Sequence, residues 1–178
     1  MPLPAQPPAP PAAAAPAPQA DAALQLLGKR APAFTLPDQN DKPVRLDAAK
    51  GKWVVLAFYP ADMTRGCTLQ NRAYTAAMEQ IAALDALVYT LSTQDTASKR
   101  AFCQKESLGH TLLSDVGGKV AAAYRVLIAE RGLARRVTFY VDPKGRVAAV
   151  DTKINPATAA EDTLATLKRL GAGPKEKP

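Results

Sequence analysis

Seven apolar residues in a row, Trp53-Val-Val-Leu-Ala-Phe-Tyr59, stop at Pro60, and from Thr68 to Leu84 neither proline nor glycine interrupts the chain. An apolar run without polar alternation suits a central strand covered on both faces, so layers of structure must lie above and below it. Proline has no N–H to donate and ends the strand ladder there. Further on, Leu69, Ala73, Ala77, Ile81 and Leu84 recur at helical spacing, which predicts an amphipathic helix. Leu87-Val-Tyr-Thr-Leu91 reads as a second buried strand. Strand, helix and strand in succession commit the chain to an α/β architecture.

The remaining segments extend that pattern. Phe34-Thr-Leu36 and Val44-Arg-Leu46 are short alternating runs around Pro37-Asp-Gln-Asn-Asp-Lys-Pro43, which suggests an N-terminal hairpin. Thr96 is positioned to cap a helix running to about Leu108 and ended by Gly109. A shorter helix over Gly118 to Tyr124 follows Ser114-Asp115. Val137–Val141 and Arg146–Val150 flank Asp142-Pro-Lys-Gly145, a hairpin signal, and a last helix runs from about Pro156 to Leu170. This order, a mixed central sheet flanked by helices, matches the thioredoxin fold with an N-terminal β-hairpin extension.

At 178 residues the chain suits one domain, expected over residues 23–171. Residues 1–22 read as a disordered tail: Met1 to Ala20 holds eight prolines, eight alanines and no charge. It lacks the basic start and continuous apolar centre of a signal peptide, so it is either a natural tail or the remainder behind a removed export signal. Residues 172–178 read as a flexible basic C-terminus. The net charge of +7 is spread over pairs such as Lys99-Arg100 and Lys168-Arg169, and aromatics make up only 6%. That describes a solvated basic surface, not a nucleic-acid site. No apolar run approaches the roughly 20 residues of a membrane-spanning helix. A soluble protein without nucleic-acid or membrane partners is expected.

Only two cysteines, Cys67 and Cys103, and one histidine, His110, are present. There is no CxxC pair for a zinc ribbon or a dithiol motif, and no multi-histidine metal site, so no cofactor is expected. Chemistry must rest on two sulfurs, charge and backbone. Cys67 falls where the buried strand has ended and the helix begins. Unpaired N–H groups and the positive end of the helix dipole there favour the thiolate, the reactive form. The same N–H groups can hold a partly negative substrate oxygen. Thr64 can turn its hydroxyl to the sulfur or to a bound oxygen, and Gly66 permits close backbone approach. The alternative for Cys67 is an inert buried thiol. His110, at a helix end, reads as exposed or capping, and Trp53 and Tyr59 as core or pocket wall.

Pro60-x-x-x-Thr64-x-x-Cys67 matches the active-site signature of peroxiredoxins, and Phe58-Tyr-Pro60 resembles the bacterioferritin-comigratory-protein, or PrxQ, branch. Arg136-Val-Thr-Phe139, leading to Val141-Asp-Pro-Lys-Gly145, resembles the family's catalytic arginine strand and hairpin. Ala33-Phe-Thr-Leu-Pro37 and Leu112-Leu-Ser-Asp115 are similar to further landmarks, so the likeness spans roughly residues 28–170. The resemblance implies that Cys67 is the peroxidatic nucleophile, attacking the O–O bond to give a sulfenic acid. It implies that Arg136 stabilises the thiolate and the transition-state charge, with Arg135 the lesser candidate of the pair. Thr64 would hydrogen-bond the peroxide, Pro60 would shield the sulfur from water, and the backbone at Gly66 and Cys67 would donate to the peroxide oxygens. Two positions depart from the family pattern: Arg65 stands where proline is common, and Gln70 where many relatives carry glutamate.

Arg72 occupies the place, five residues after Cys67, where many members of the branch carry a resolving cysteine. Cys103 resembles the resolving cysteine of the subtype that carries it in the later helix; the alternative is a core-filling thiol. Two helix-borne cysteines are not expected at the roughly 4.4–6.8 Å Cα separation of a disulfide, so the first turn after Cys67 and part of the second helix would unwind. The implied partners are a hydroperoxide and thioredoxin or a similar dithiol reductant, acting on a monomer. Cytoplasmic placement is expected, or periplasmic if an export signal once preceded the tail. The competing readings are a one-cysteine peroxidase recycled by glutathione or glutaredoxin, a thioredoxin-fold thiol-disulfide oxidoreductase, and a non-enzymatic binding module.

Overall fold

A computed structural model describes residues 20–174; the proline-rich stretch over 1–19 and the last four residues lie outside them. A short helix α1 (Ala20–Leu24) begins within the stretch expected as tail. A small hairpin follows, β1 (Thr35–Pro37) with β2 (Pro43–Arg45), Thr35 opposite Arg45, and a 3₁₀ turn over Leu46–Ala49 closes it. Then come β3 (Trp53–Phe58), α2 (Arg65–Ala83), β4 (Ala86–Ser92), α3 (Thr96–Glu106), β5 (Thr111–Ser114) and α4 (Lys119–Ala123). The chain ends with a two-residue ladder, β6 (Leu127–Ile128) and β7 (Leu133–Ala134), the hairpin β8 (Val137–Val141) and β9 (Val147–Asp151), and α5 (Ala159–Arg169).

The main sheet has the order β5-β4-β3-β8-β9. β3, β4 and β5 run parallel, while β8 and β9 are antiparallel additions. β3 is central and buried on both faces, as its unbroken apolar run requires. Val55 and Ala57 face α2 and α5 through Tyr74, Ala77, Ile81, Ala160 and Leu167. Val54, Leu56 and Phe58 face the opposite layer, where Tyr124 meets Phe34, Phe58 and Phe139 at ring separations of 5.0–6.5 Å. This is the α/β thioredoxin-type sandwich with the N-terminal hairpin. The edge strand β5 is covered by the turn of that hairpin: Gln39 accepts from Leu112 N–H (3.0 Å) and donates to the His110 carbonyl (3.1 Å).

Several local expectations are corrected. The inward stripe of α2 is Cys67, Gln70, Asn71, Tyr74, Ala77 and Ile81, and Leu69 is exposed. The helix turns polar residues inward because each has a partner there: Gln70 meets Arg136, Asn71 donates to the Cys67 carbonyl, and Tyr74 bonds Thr163. The cap of α3 is Asp95, which accepts from Ser98 N–H at 2.8 Å, and the helix stops at Glu106 because Ser107 turns left-handed.

His110 is not exposed. It is buried, with Thr75 Oγ1 2.7 Å from Nδ1, and with Thr90 Oγ1 (3.0 Å) and Asn71 Oδ1 (3.1 Å) on Nε2. Burial holds the ring neutral by lowering its pKa to about 3. The unfolded chain takes up a proton at this residue below about pH 6.5, and the folded protein does not until about pH 3. Stability is therefore fully present above that window and falls by about 1.4 kcal/mol per pH unit through it as the solution is acidified. Urea unfolding midpoints at pH 7, 6 and 5 should drop steadily for wild type and more shallowly for His110→Gln.

Candidate active site

The sheet register assembles the site. Phe58, the last residue of β3, pairs with Val137, the first of β8. Arg136 therefore emerges beside the point where the chain leaves β3 for the loop Tyr59–Thr64. Thr64 is the extended N-cap of α2, and Arg65, Gly66 and Cys67 form its first turn. Cys67 is buried, at 1% exposure, among backbone N–H groups that have no partner within the helix. Arg136 Nη2 lies 3.3 Å from Cys67 Sγ, while Nη1 donates to Gln70 Oε1. The guanidinium thus bridges positions 67 and 70, one turn apart on α2. A fixed cation at this distance stabilises negative charge on the sulfur.

Gly66 also serves this contact. A Cβ there would stand 3.3 Å from Arg136 Nη2 and 3.7 Å from Pro156 Cγ, so the glycine makes room for the guanidinium. The departure to Gln70 leaves the contact in place: a neutral amide oxygen orients the arginine without a second negative charge beside the sulfur. Arg65 points outward and is exposed. Thr64 Oγ1 donates to the Ala61 carbonyl at 3.0 Å, so its hydrogen is committed to the loop and its lone pairs are left to accept. Pro60 is half-buried, and Met63, just before the cap, holds a left-handed φ of 63°.

Cys103 lies on α3, half-buried against a small cluster formed by Tyr59, Cys67, Phe102, Leu108 and Leu112. Both sulfurs therefore border one patch of core, and both are free thiols. Burial first, and the nearby Asp62 carboxylate second, push the Cys103 thiol up to about 11, with Lys99 partly offsetting them. In this conformation it is a protonated thiol at neutral pH and a poor nucleophile.

One polar cluster escaped the sequence reading. Asp62, from the loop before Cys67, lies 2.9 Å from the ammonium of Lys99 on α3, with side chains 2% and 0% exposed. Tyr59 donates to Asp62 Oδ1 at 2.6 Å and Ser98 to Oδ2 at 2.7 Å, and Lys99 also donates to Tyr59 Oη and Ser92 Oγ. No spacing rule joins residues on different elements. The available signal was that Lys99 sits one turn before Phe102, on the only inward face α3 has.

Residues 27–150 match the AhpC/TSA family. The chain belongs to that family. Among its relatives, a chloroplastic peroxiredoxin Q of Suaeda salsa is 41% identical over 145 residues, covering 80% of this chain and 68% of the relative. A protein of Coxiella burnetii named putative peroxiredoxin bcp is 34% identical over 134 residues, covering 72% of this chain and 89% of that one. The crystal structure of peroxidoxin BcpB from Mycobacterium tuberculosis superposes with a TM-score of 0.74 at 32% identity, covering 80% of this chain and 96% of the other. This peroxiredoxin is thus a thiol-dependent peroxidase of the peroxiredoxin Q and bacterioferritin-comigratory-protein type. The peroxiredoxin signature residues fall on the loop and first helical turn described above.

Proposed function

We propose that this peroxiredoxin reduces hydrogen peroxide and organic hydroperoxides through Cys67, and regenerates it through an intramolecular Cys67–Cys103 disulfide reduced by thioredoxin or a similar dithiol. The observation that carries the first half is the 3.3 Å contact of Arg136 with Cys67 Sγ at the open end of α2. The thiolate attacks one peroxide oxygen; the S–O bond forms, the O–O bond breaks, and the departing oxygen leaves as water or an alcohol after taking a proton. Arg136 and the backbone N–H groups of Gly66 and Cys67 hold the charge as it moves to that oxygen. Thr64, with its hydrogen given to Ala61, accepts from the O–H of the peroxide, and Pro60 walls the sulfur from water. The two sulfurs bordering one small cluster support Cys103 as the resolving thiol. Its condensation with the Cys67 sulfenic acid forms the S–S bond and releases water.

The test is one equivalent of peroxide followed by mass measurement without reductant. The expected product is two hydrogens lighter, with a single cross-linked 67–103 peptide, and it is reduced by a thioredoxin system. Cys103→Ser should instead accumulate sulfenic acid at Cys67, keeping its first turnover within about threefold of wild type and losing thioredoxin-dependent cycling. A wild-type product that carries a stable sulfenic acid at Cys67, and that forms a mixed disulfide when glutathione is then added, would favour the one-cysteine cycle.

A further inference from the structure

α3 has little apolar anchorage: only Lys99 and Phe102 of its 11 residues are buried. A helix of this length is not stable alone and depends on its contacts with the body. Two of those contacts are surface ion pairs, Arg100 with Asp41 and Glu106 with Arg72, a kind that contributes little. The buried polar anchor is the dry pair of Lys99 with Asp62, to which Ser98 also donates. Its two ends belong to the two segments that carry or lead into the cysteines: Lys99 is on the helix that carries Cys103, and Asp62 is in the loop that leads into Cys67.

We propose that the Asp62–Lys99 pair makes release of α3 and release of the loop before Cys67 one cooperative event. A buried charge stripped of its partner is strongly unfavourable. If α3 leaves alone, Asp62 stays in its pocket with only Tyr59 and Ser92; if the loop leaves alone, Lys99 is stranded. When both leave, both charges reach water. This rests on the reading that Cys103 resolves. In the open state Cys103 attacks the sulfenic sulfur of Cys67, the S–S bond forms, the S–O bond breaks, and the oxygen departs as water with the thiol proton. In the closed state the same sulfenic acid meets a second hydroperoxide, which oxidises it to the sulfinic acid and is itself reduced to water or an alcohol. Asp62 and Lys99 are therefore positioning residues that set the division between recycling and over-oxidation.

Hydrogen exchange on the reduced protein, read by mass spectrometry over residues 61–69 and over α3, tests the coupling. Lys99→Met and Asp62→Asn should each speed exchange in both segments by about tenfold or more, although each lies in only one of them. The double variant, with both charges gone, should recover protection and let the two segments exchange at unequal rates. Arg100→Ala, which loses only a surface pair and leaves Asp62–Lys99 intact, should change exchange by less than about twofold, and equally in both segments. In single turnovers both single variants should form the 67–103 disulfide about tenfold faster, and lose less Cys67 to sulfinic acid under excess peroxide, than wild type. Lys99→Met that speeds α3 and leaves 61–69 unchanged, or a disulfide rate within twofold of wild type, overturns the coupling. A wild type that consumes peroxide but never forms the disulfide overturns the role of Cys103, while the exchange comparison still decides the coupling. Should Lys99→Met not fold, Ser98→Ala removes one donor to Asp62 without stranding a charge, and should speed both segments by about threefold.

Discussion

Cys67→Ser should consume no hydroperoxide above the background of the buffer, the largest loss any single substitution can produce in this protein. A hydroxyl at this position keeps its proton, so neither Arg136 nor the open end of α2 has a negative charge to stabilise, and oxygen is a far weaker nucleophile toward O–O bonds than a thiolate. The second cysteine cannot substitute. With its thiol pushed up to about 11 by burial and by Asp62, Cys103 carries a thiolate fraction on the order of 10⁻⁴ at pH 7. Arg136 meanwhile bonds residues of α2, not Cys103. The measurement is stopped-flow peroxide decay with thioredoxin and its reductase in excess. A residual rate above about one per cent of wild type would mean that chemistry resides elsewhere, and the folded state of the variant must be checked by circular dichroism alongside.

What the sequence disclosed divides along physical lines. β3 was legible because a doubly covered strand has an unbroken apolar run, and the β8–β9 hairpin because Asp142-Pro-Lys-Gly145 has turn chemistry. The placement of Cys67 followed from that same strand-to-helix junction. The stripe of α2 was misphased at Leu69 because it was traced through aliphatic residues alone. Cys67 itself, with 70, 71 and 74 at helical spacing after it, marks the inward face, and two of those are amides with partners off the helix, Arg136 for Gln70 and His110 for Asn71. β6–β7 is too short to leave a periodic signal. His110 and Lys99 look like surface residues by type. Each is inside because partners far along the chain satisfy it, and such partners are visible only once the sheet brings them together. The local half of the site was therefore readable, while the polar half that holds the loop and α3 together was not.

Arg136→Ala should lower the second-order rate constant for hydroperoxide by about 10²–10³, the loss that follows removal of one preorganised donor to developing charge. The fork of the guanidinium sets the size of the loss. Nη1 is held by Gln70 and Nη2 faces Sγ at 3.3 Å, so the cation is fixed beside the sulfur before peroxide arrives. The negative charge starts on sulfur and ends on the departing oxygen, and a cation already in place need not be recruited from water. Arg136→Lys separates charge from geometry. An ammonium restores the charge but cannot bond Gln70 and face the sulfur in one plane, so it should recover no more than about tenfold of the loss. Gln70→Ala should act in the same direction and more weakly, since it frees the arginine without removing it. Arg136 is only half-buried, so thermal midpoints of the arginine variants should stay within a few degrees of wild type. An alanine variant within threefold of wild type at pH 7 would remove Arg136 from the chemistry and leave the open end of α2 as the source of activation.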